Sequence, residues 1–135
     1  MGEITSRMAV RVARPSRDLQ AAAAFYRDAL GLPELGSFEN HDGFSGLILG
    51  LPDASRQLEL VAAPDAEPAP TAEDQLVVYL GSSERVEDAA ARIRSAGHEP
   101  GNSPNPYWAN VGAVCFLDPD GYRLVLSPQS WTDDR

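Results

Sequence analysis

The chain repeats itself. At an offset of 66 residues, Gly31 meets Gly97, Gly46 meets Gly112, and Leu51, Leu58 and Leu60 meet Leu117, Leu124 and Leu126. Val12 likewise meets Val78, and Ala23-Ala24 meets Ala89-Ala90. A duplicated unit of this size restricts the fold to two like modules, because each copy must solve the same burial problem with the same order of elements.

The punctuation within each copy predicts that order. Met8 to Ala13 is a short β-prone run. Ser16 or Asp18 is placed to cap a helix from about Leu19 to Leu30. Gly31 ends it in the left-handed conformation that glycine tolerates. Leu19, Ala22, Ala23, Tyr26 and Leu30 recur at steps of three and four, which gives that helix one apolar face. In the second copy Leu76 to Leu80 reads as a strand. Ser82 or Ser83 caps a helix with Val86, Ala89, Ala90 and Ile93 on its apolar face, and Gly97 stops it. Strands Gly46–Leu51 and Gln57–Val61 flank Pro52-Asp53-Ala54-Ser55. Strands Gly112–Leu117 and Arg123–Ser127 flank Asp118-Pro119-Asp120-Gly121, a hairpin signal in which proline sets φ and glycine supplies φ > 0. Each copy therefore reads β-α-β-β-β: module 1 over about 8–61, an acidic Pro- and Ala-rich linker over about 62–74, module 2 over about 75–127, and a tail at 128–135. The whole is expected to be one α+β domain spanning 1–135.

Length and charge exclude several functions. At 135 residues the chain is of ordinary domain size and needs no disulfide or metal staple. Its 20 acidic residues face 11 basic ones, all Arg, for a net charge of −9. Nucleic acid and anionic membrane are therefore not expected partners, since phosphate contact needs a basic face. Asp65, Glu67, Glu73 and Asp74 in the linker carry much of that charge, so it says little about the ligand of a site elsewhere. No apolar run approaches the length of a membrane span, and no apolar stretch follows the N-terminus. Met1 to Ser6 fits the loose M-G-x-x-x-[ST] myristoylation pattern and is read as chance, with no second membrane signal beside it. The expected location is cytoplasmic, and Arg-only positive charge with many Ala suggests a GC-rich bacterial genome. The single Cys115 excludes an internal disulfide and is expected to be buried and inert. Ser45 lacks the context of a nucleophile elbow, and no phosphate-binding glycine loop is present.

The sequence resembles the vicinal oxygen chelate superfamily, which includes glyoxalase I, extradiol dioxygenases and bleomycin-type resistance proteins. The resemblance rests on Arg17-Asp18-Leu19, on Phe25-Tyr26-Arg27-Asp28-Ala29-Leu30-Gly31-Leu32, on Leu58-Glu59-Leu60 and on Leu117-Asp118-Pro119-Asp120-Gly121-Tyr122. Ala13-Arg14-Pro15, Leu49-Gly50-Leu51-Pro52-Asp53 and Asn105-Pro106-Tyr107-Trp108 are similar to its YycE-like branch. The resemblance implies two βαβββ modules with a ligand cavity at their concave faces, and a homodimer. In the metal enzymes it implies one divalent ion, held from the first and last strands of each module. Carried over, those four positions fall on Arg11, on Glu59, on Val77 (or Gln75 if the loop before the second helix is longer) and on Val125. Arginine has no lone pair to donate, valine is no ligand and glutamine is a weak one. Only Glu59 fits, so no metal site and no catalytic residue is expected. A direct Arg11–Glu59 ion pair, or shared hydrogen bonds between the two, is expected in the metal's place.

The remaining candidates surround that pair. Tyr107 and Trp108, on a stiff proline-set loop, are expected to stack on a planar ligand or to plug the core. His41, in the loop-like Asn40-His41-Asp42-Gly43, and Phe44 are expected at the cavity mouth, with Arg14 as a rim cation and Val77 and Val125 as apolar walls. His98 is expected to close the second helix or face solvent. The preferred reading is a metal-free protein that binds a small molecule, such as a planar or polycyclic antibiotic, and sequesters it without chemistry. The alternative is a lyase, isomerase or dioxygenase, using Glu59 as base or a divalent ion on relocated ligands such as Glu59 and His41. A third reading is a fold-family member with no ligand role of its own.

Overall fold

The computed structural model describes residues 8–131. The myristoylation pattern and the end of the tail lie outside them. Two compact units divide between Pro68 and Ala69, inside the stretch expected to be a linker.

In the first unit, β1 (Val10–Pro15) leads into a helix α1 (Leu19–Ala23) that continues as a π-helical segment, Ala24–Ala29. Asp18 caps it, its carboxylate accepting from the backbone N–H of Gln20 and Ala21. The wider π turn is visible in Leu30 N–H donating to Phe25 C=O at 2.9 Å. It brings Phe25 and Tyr26 inward together, both fully buried, beside Ala22, Ala23 and Ala29. Strands β2 (Glu34–His41), β3 (Phe44–Gly50) and β4 (Arg56–Ala62) follow, and the sheet runs β1-β4-β3-β2. β1 and β4 are parallel. Leu47, Leu49, Leu58 and Leu60 share one face and are buried with the helix. The other face carries Arg11, Ala13, Ile48, Gln57 and Glu59. Side-chain alternation along strands requires this split.

The second unit repeats the scheme. β5 (Gln75–Tyr79), α2 (Ser83–Ser95), β6 (Pro100–Gly101), a one-turn helix α3 (Tyr107–Asn110), β7 (Val114–Leu117) and β8 (Arg123–Ser127) form a sheet in the order β5-β8-β7-β6. Ser82 caps α2, whose Val86, Ala89, Ala90 and Ile93 are all buried. At its end Gly97 (φ +101°) lets its own N–H reach Arg94 C=O at 2.8 Å and that of His98 reach Ile93 C=O at 3.3 Å. These bonds close the helix end, where Ile93 C=O also accepts from Ala96 N–H at 3.2 Å.

The repeat is real, but a single offset does not describe it. Val12 pairs with Leu58 in the first ladder, while Leu76, not Val78, pairs with Leu124 in the second. The first helix has 5 α-helical and 6 π-helical residues, and α2 has 13. Two extra residues in α2 shift everything before it. The offset is 64 up to the helix and 66 beyond, so the Val12–Val78 match is coincidental.

Candidate functional site

Register on the first sheet builds the polar centre. Arg11 lies opposite Gln57 and Ala13 opposite Glu59, all on the face away from the helix. Arg11 Nε donates to Gln57 Oε1 at 2.8 Å, and its NH1 donates to Glu59 Oε1 at 3.4 Å. The expected ion pair is present, but Gln57, which the sequence reading missed, holds the guanidinium more closely. Gln57 is itself fixed by donating from Nε2 to Ala54 C=O at 2.7 Å. The Glu59 side chain is 14% exposed and that of Arg11 44%. A pair this exposed contributes about 0–1 kcal/mol to stability. Its interest is chemical. Among the described residues the second Glu59 oxygen has no hydrogen-bond partner, and the residue's row across the sheet is Ala13, Glu59, Ile48 and Gly36. The carboxylate therefore stands in a strip of small and apolar residues.

The donor set does not fit a divalent ion. His41 ends β2 at a hairpin tip and pairs with Phe44, four residues along β3 from Ile48, the neighbour of Glu59. At ~3.4 Å per residue that is about 14 Å along the strand, so the expected joint use of His41 and Glu59 is corrected. Asn40 and Asp42 have φ of +50° and +53°, which turns the chain sharply there and leaves His41 and Phe44 exposed. Among the described residues, no three His, Cys, Asp or Glu side chains are grouped to hold a metal. The second ladder supplies no further ligand. Gln75 faces Arg123 as Arg11 faces Gln57, and Val125 falls where Glu59 does. Gln75, rather than Val77, is thus the counterpart of Arg11.

Other expectations change with the packing. Val125 is fully buried, which removes it as an open wall, while Val77 beside it is half-buried. Arg14 is no free rim cation: its NH2 donates to the Tyr26 hydroxyl at 2.7 Å, and the guanidinium carbon lies 5.8 Å from that ring's centroid. It lines a shallow depression of about 360 Å³ with Pro15, Val61, Asp65 and Glu67. Tyr107 and Trp108 open the short helix α3 instead of lying on a loop. Pro106, with its fixed φ, precedes that turn, and Asn105 Oδ1 accepts from Tyr107 N–H at 3.0 Å. Their rings meet edge-on at 5.0 Å, and Tyr79 lies 6.5 Å from Trp108 and 6.0 Å from Trp131. Tyr79 and Trp131 join a cluster of which the sequence showed only half.

Cys115 is buried, opposite Val125, and burial pushes its thiol up. The folded state thus holds the proton more tightly than the unfolded chain does. This contribution to stability is complete below the ordinary thiol range and is lost as pH rises through the raised value. Native protein is expected to react with a disulfide reagent such as DTNB only as fast as it opens, and at once in denaturant. Immediate stoichiometric labelling of native protein would contradict the burial.

Two βαβββ modules, each with one helix-covered face and one face carrying the polar or aromatic groups, define a protein of the vicinal oxygen chelate class. The YycE-like N-terminal domain family matches residues 10–61 and the YycE-like C-terminal domain family matches residues 73–128. YycE of Bacillus subtilis is 34% identical over 119 residues, 87% of this chain and 85% of that protein. The crystal structure of a Bacillus subtilis YycE protein superimposes with a TM-score of 0.86 at 30% identity, covering 94% of this chain and 93% of that one. The chain belongs to the YycE-like family of the vicinal oxygen chelate superfamily. TnmS3, an antibiotic-binding protein from Streptomyces, shares the fold at 22% identity and a TM-score of 0.67, covering 94% of this chain and 98% of its own. FosX, a fosfomycin resistance protein from Listeria monocytogenes seen with Mn(II), shares it at 16% identity and a TM-score of 0.68, covering 98% and 97%. Among the described residues no helix is long and apolar enough to cross a membrane.

Proposed function

We propose that this protein binds a small planar organic molecule and holds it without chemical change, as a sequestering protein does. The observation that carries this reading is the Arg11–Glu59 pair in the metal position. A permanent cation there offers a carboxylate no vacant orbital and activates no water, but it leaves polar groups able to orient a bound molecule. The second unit separately exposes the rings of Tyr79, Tyr107 and Trp131, a stacking surface of its own. The fold relative TnmS3 binds an antibiotic, which supports an antibiotic as the first ligand to test. The reading includes a cytoplasmic homodimer.

A ligand at 100 times its Kd stabilises by about 2.7 kcal/mol, which shifts Tm by several degrees in a domain of this size. Screening of the dialysed protein against polycyclic aromatic antibiotics is expected to find such a shift, and the compound should be recovered intact. Metal analysis of the same sample is expected to find no stoichiometric divalent ion. A tightly held ion, or conversion of the bound compound, would overturn the reading. The second reading, acid–base catalysis by Glu59, is favoured by its second oxygen, which has no partner among the described residues, and product formation abolished in Glu59→Gln would establish it.

A further inference from the structure

The polar centre of the first sheet carries an unused donor and an unused acceptor on one ion pair. Gln57 Nε2 donates to Ala54 C=O at 2.7 Å, and a carbonyl can only accept. The other end of that amide, Oε1, is thereby left to accept from Arg11 Nε at 2.8 Å. Gln57 thus sets the guanidinium, whose Nη1 reaches Glu59 Oε1 at 3.4 Å. A guanidinium has more N–H groups than these two bonds use, and a carboxylate has a second oxygen. Among the described residues, neither the remaining Arg11 N–H groups nor the second Glu59 oxygen has a hydrogen-bond partner. Open donors and an open acceptor therefore flank a single contact.

Apolar ground adjoins that contact. Ala13 lies directly opposite Glu59, and Pro15 lies opposite Val61, two residues further along β4 on the same face. Ala13, Pro15 and Val61 line the depression of about 360 Å³. Adjacent strands are about 4.8 Å apart, so the carboxylate stands one strand from the depression's floor. On its other side stands the half-buried Ile48, and beyond Ile48 no atom lies within 4 Å of a Cβ placed at Gly36.

The chemistry of the pair selects what it takes. Arg11 opposes a cationic group, and Glu59 opposes an anionic one. A neutral group with an acceptor beside a donor satisfies both. A trans amide points its C=O and N–H in opposite directions, because the amide is planar. A lactam or a primary carboxamide presents them on one edge.

We propose that the first unit binds compounds with a cis-amide edge, namely lactams and primary carboxamides. Their C=O accepts from Arg11, their N–H donates to the second oxygen of Glu59, and their apolar body lies over Ala13, Pro15 and Val61. This rests on the small-molecule reading above and names its ligand class. Gln57 is a positioning residue for Arg11.

The test titrates the full chain calorimetrically with 2-quinolone, a flat bicyclic lactam, and with N-methyl-2-quinolone, which keeps the carbonyl and loses the donor. The lactam is expected to bind about ten-fold more tightly, the worth of one hydrogen bond to a charged group. In Glu59→Gln, Arg11 holds the amide oxygen and the ligand meets an NH2 group in place of an acceptor. The preference is then expected to vanish, whereas a preference due to methyl bulk alone would survive. Ala13 is exposed on an edge strand, and Ala13→Leu fills the depression. That variant is expected to bind both compounds about ten-fold more weakly. Melting temperatures check that both variants are folded. Equal affinities in the native chain, a preference that survives Glu59→Gln, or affinities untouched by Ala13→Leu would overturn the inference and leave the small-molecule reading standing. Binding of neither quinolone, with the antibiotic screen still giving a shift, would do the same. Binding of neither quinolone and of no antibiotic would overturn both.

Discussion

Tyr26→Ala is expected to destabilise the protein by about 3–5 kcal/mol, the usual cost of truncating a fully buried aromatic ring. Tyr26 has no exposure and sits at the widened part of the first helix, its ring 4.8 Å from Phe25 at an interplanar angle of 77°. Its hydroxyl accepts from Arg14 at 2.7 Å. The mutation removes the ring, the acceptor and the π-face under the Arg14 guanidinium together. Tyr26→Phe separates them, since it keeps the ring and removes only the acceptor, and is expected to cost about 1.5–3 kcal/mol, as for a hydrogen bond to a charged group. For a domain whose total stability is roughly 5–15 kcal/mol, the alanine variant loses a large fraction of it. Urea unfolding should show the midpoint fall with an unchanged slope. An alanine variant within ~1 kcal/mol of the parent would show that the ring is not a core element.

Gly50→Val is expected to cost about 1–3 kcal/mol through overpacking. Any Cβ at Gly50 would sit 2.6 Å from the carbonyl oxygen of Pro52 and 3.0 Å from Asp53 Cα. These are backbone atoms and cannot swing aside. The turn that carries them is tied down by Leu51 N–H to Arg56 C=O at 2.7 Å and by Asp53 Oδ1 accepting from Ser55 N–H at 2.9 Å and Ser55 Oγ at 2.6 Å. Gly50 itself donates to Pro33 C=O at 2.8 Å, so retreat in the other direction breaks a bond. Gly36→Ala is the control. No atom lies within 4 Å of a Cβ there, and the backbone is not left-handed. That change should be neutral or stabilise by a few tenths of a kcal/mol, through the lower entropy of the unfolded chain. Equal effects at the two glycines would refute the steric argument.

Most of the architecture was legible because it is written in local signals. Asp18, Gly31, Ser82 and Gly97 mark helix ends by side-chain capping and by positive φ, and both are properties of single residues. The Asp118-Pro119-Asp120-Gly121 hairpin is legible for the same reason. The site was legible where it depends on alternation along one strand, which is why Arg11 and Glu59 were correctly brought together. What failed was long-range register. The change of offset comes from a helix two residues longer, and no residue within β5 signals it, so the repeat points to Val77 where the ladder has Gln75. His41 looked like a loop residue because Asn40, Asp42 and Gly43 are turn formers, but two left-handed residues let β2 run on to the tip. Gln57 was invisible because a glutamine carries no signature until its partner is known. Tyr79 was absorbed into a strand pattern that says nothing of what its exposed face meets.

The two ladders place the same kinds of group on opposite strands. In the first half the cation is on β1 and the amide on β4, as Arg11 and Gln57. In the second the amide is on β5 and the cation on β8, as Gln75 and Arg123. The halves are homologous in backbone and transposed in chemistry. Arg11 donates to Gln57 across its ladder, whereas Gln75 donates back to Glu73 at 3.2 Å and Arg123 donates to Ala72 C=O at 2.9 Å. The two copies have thus diverged: one keeps a carboxylate, and the other gathers the indoles.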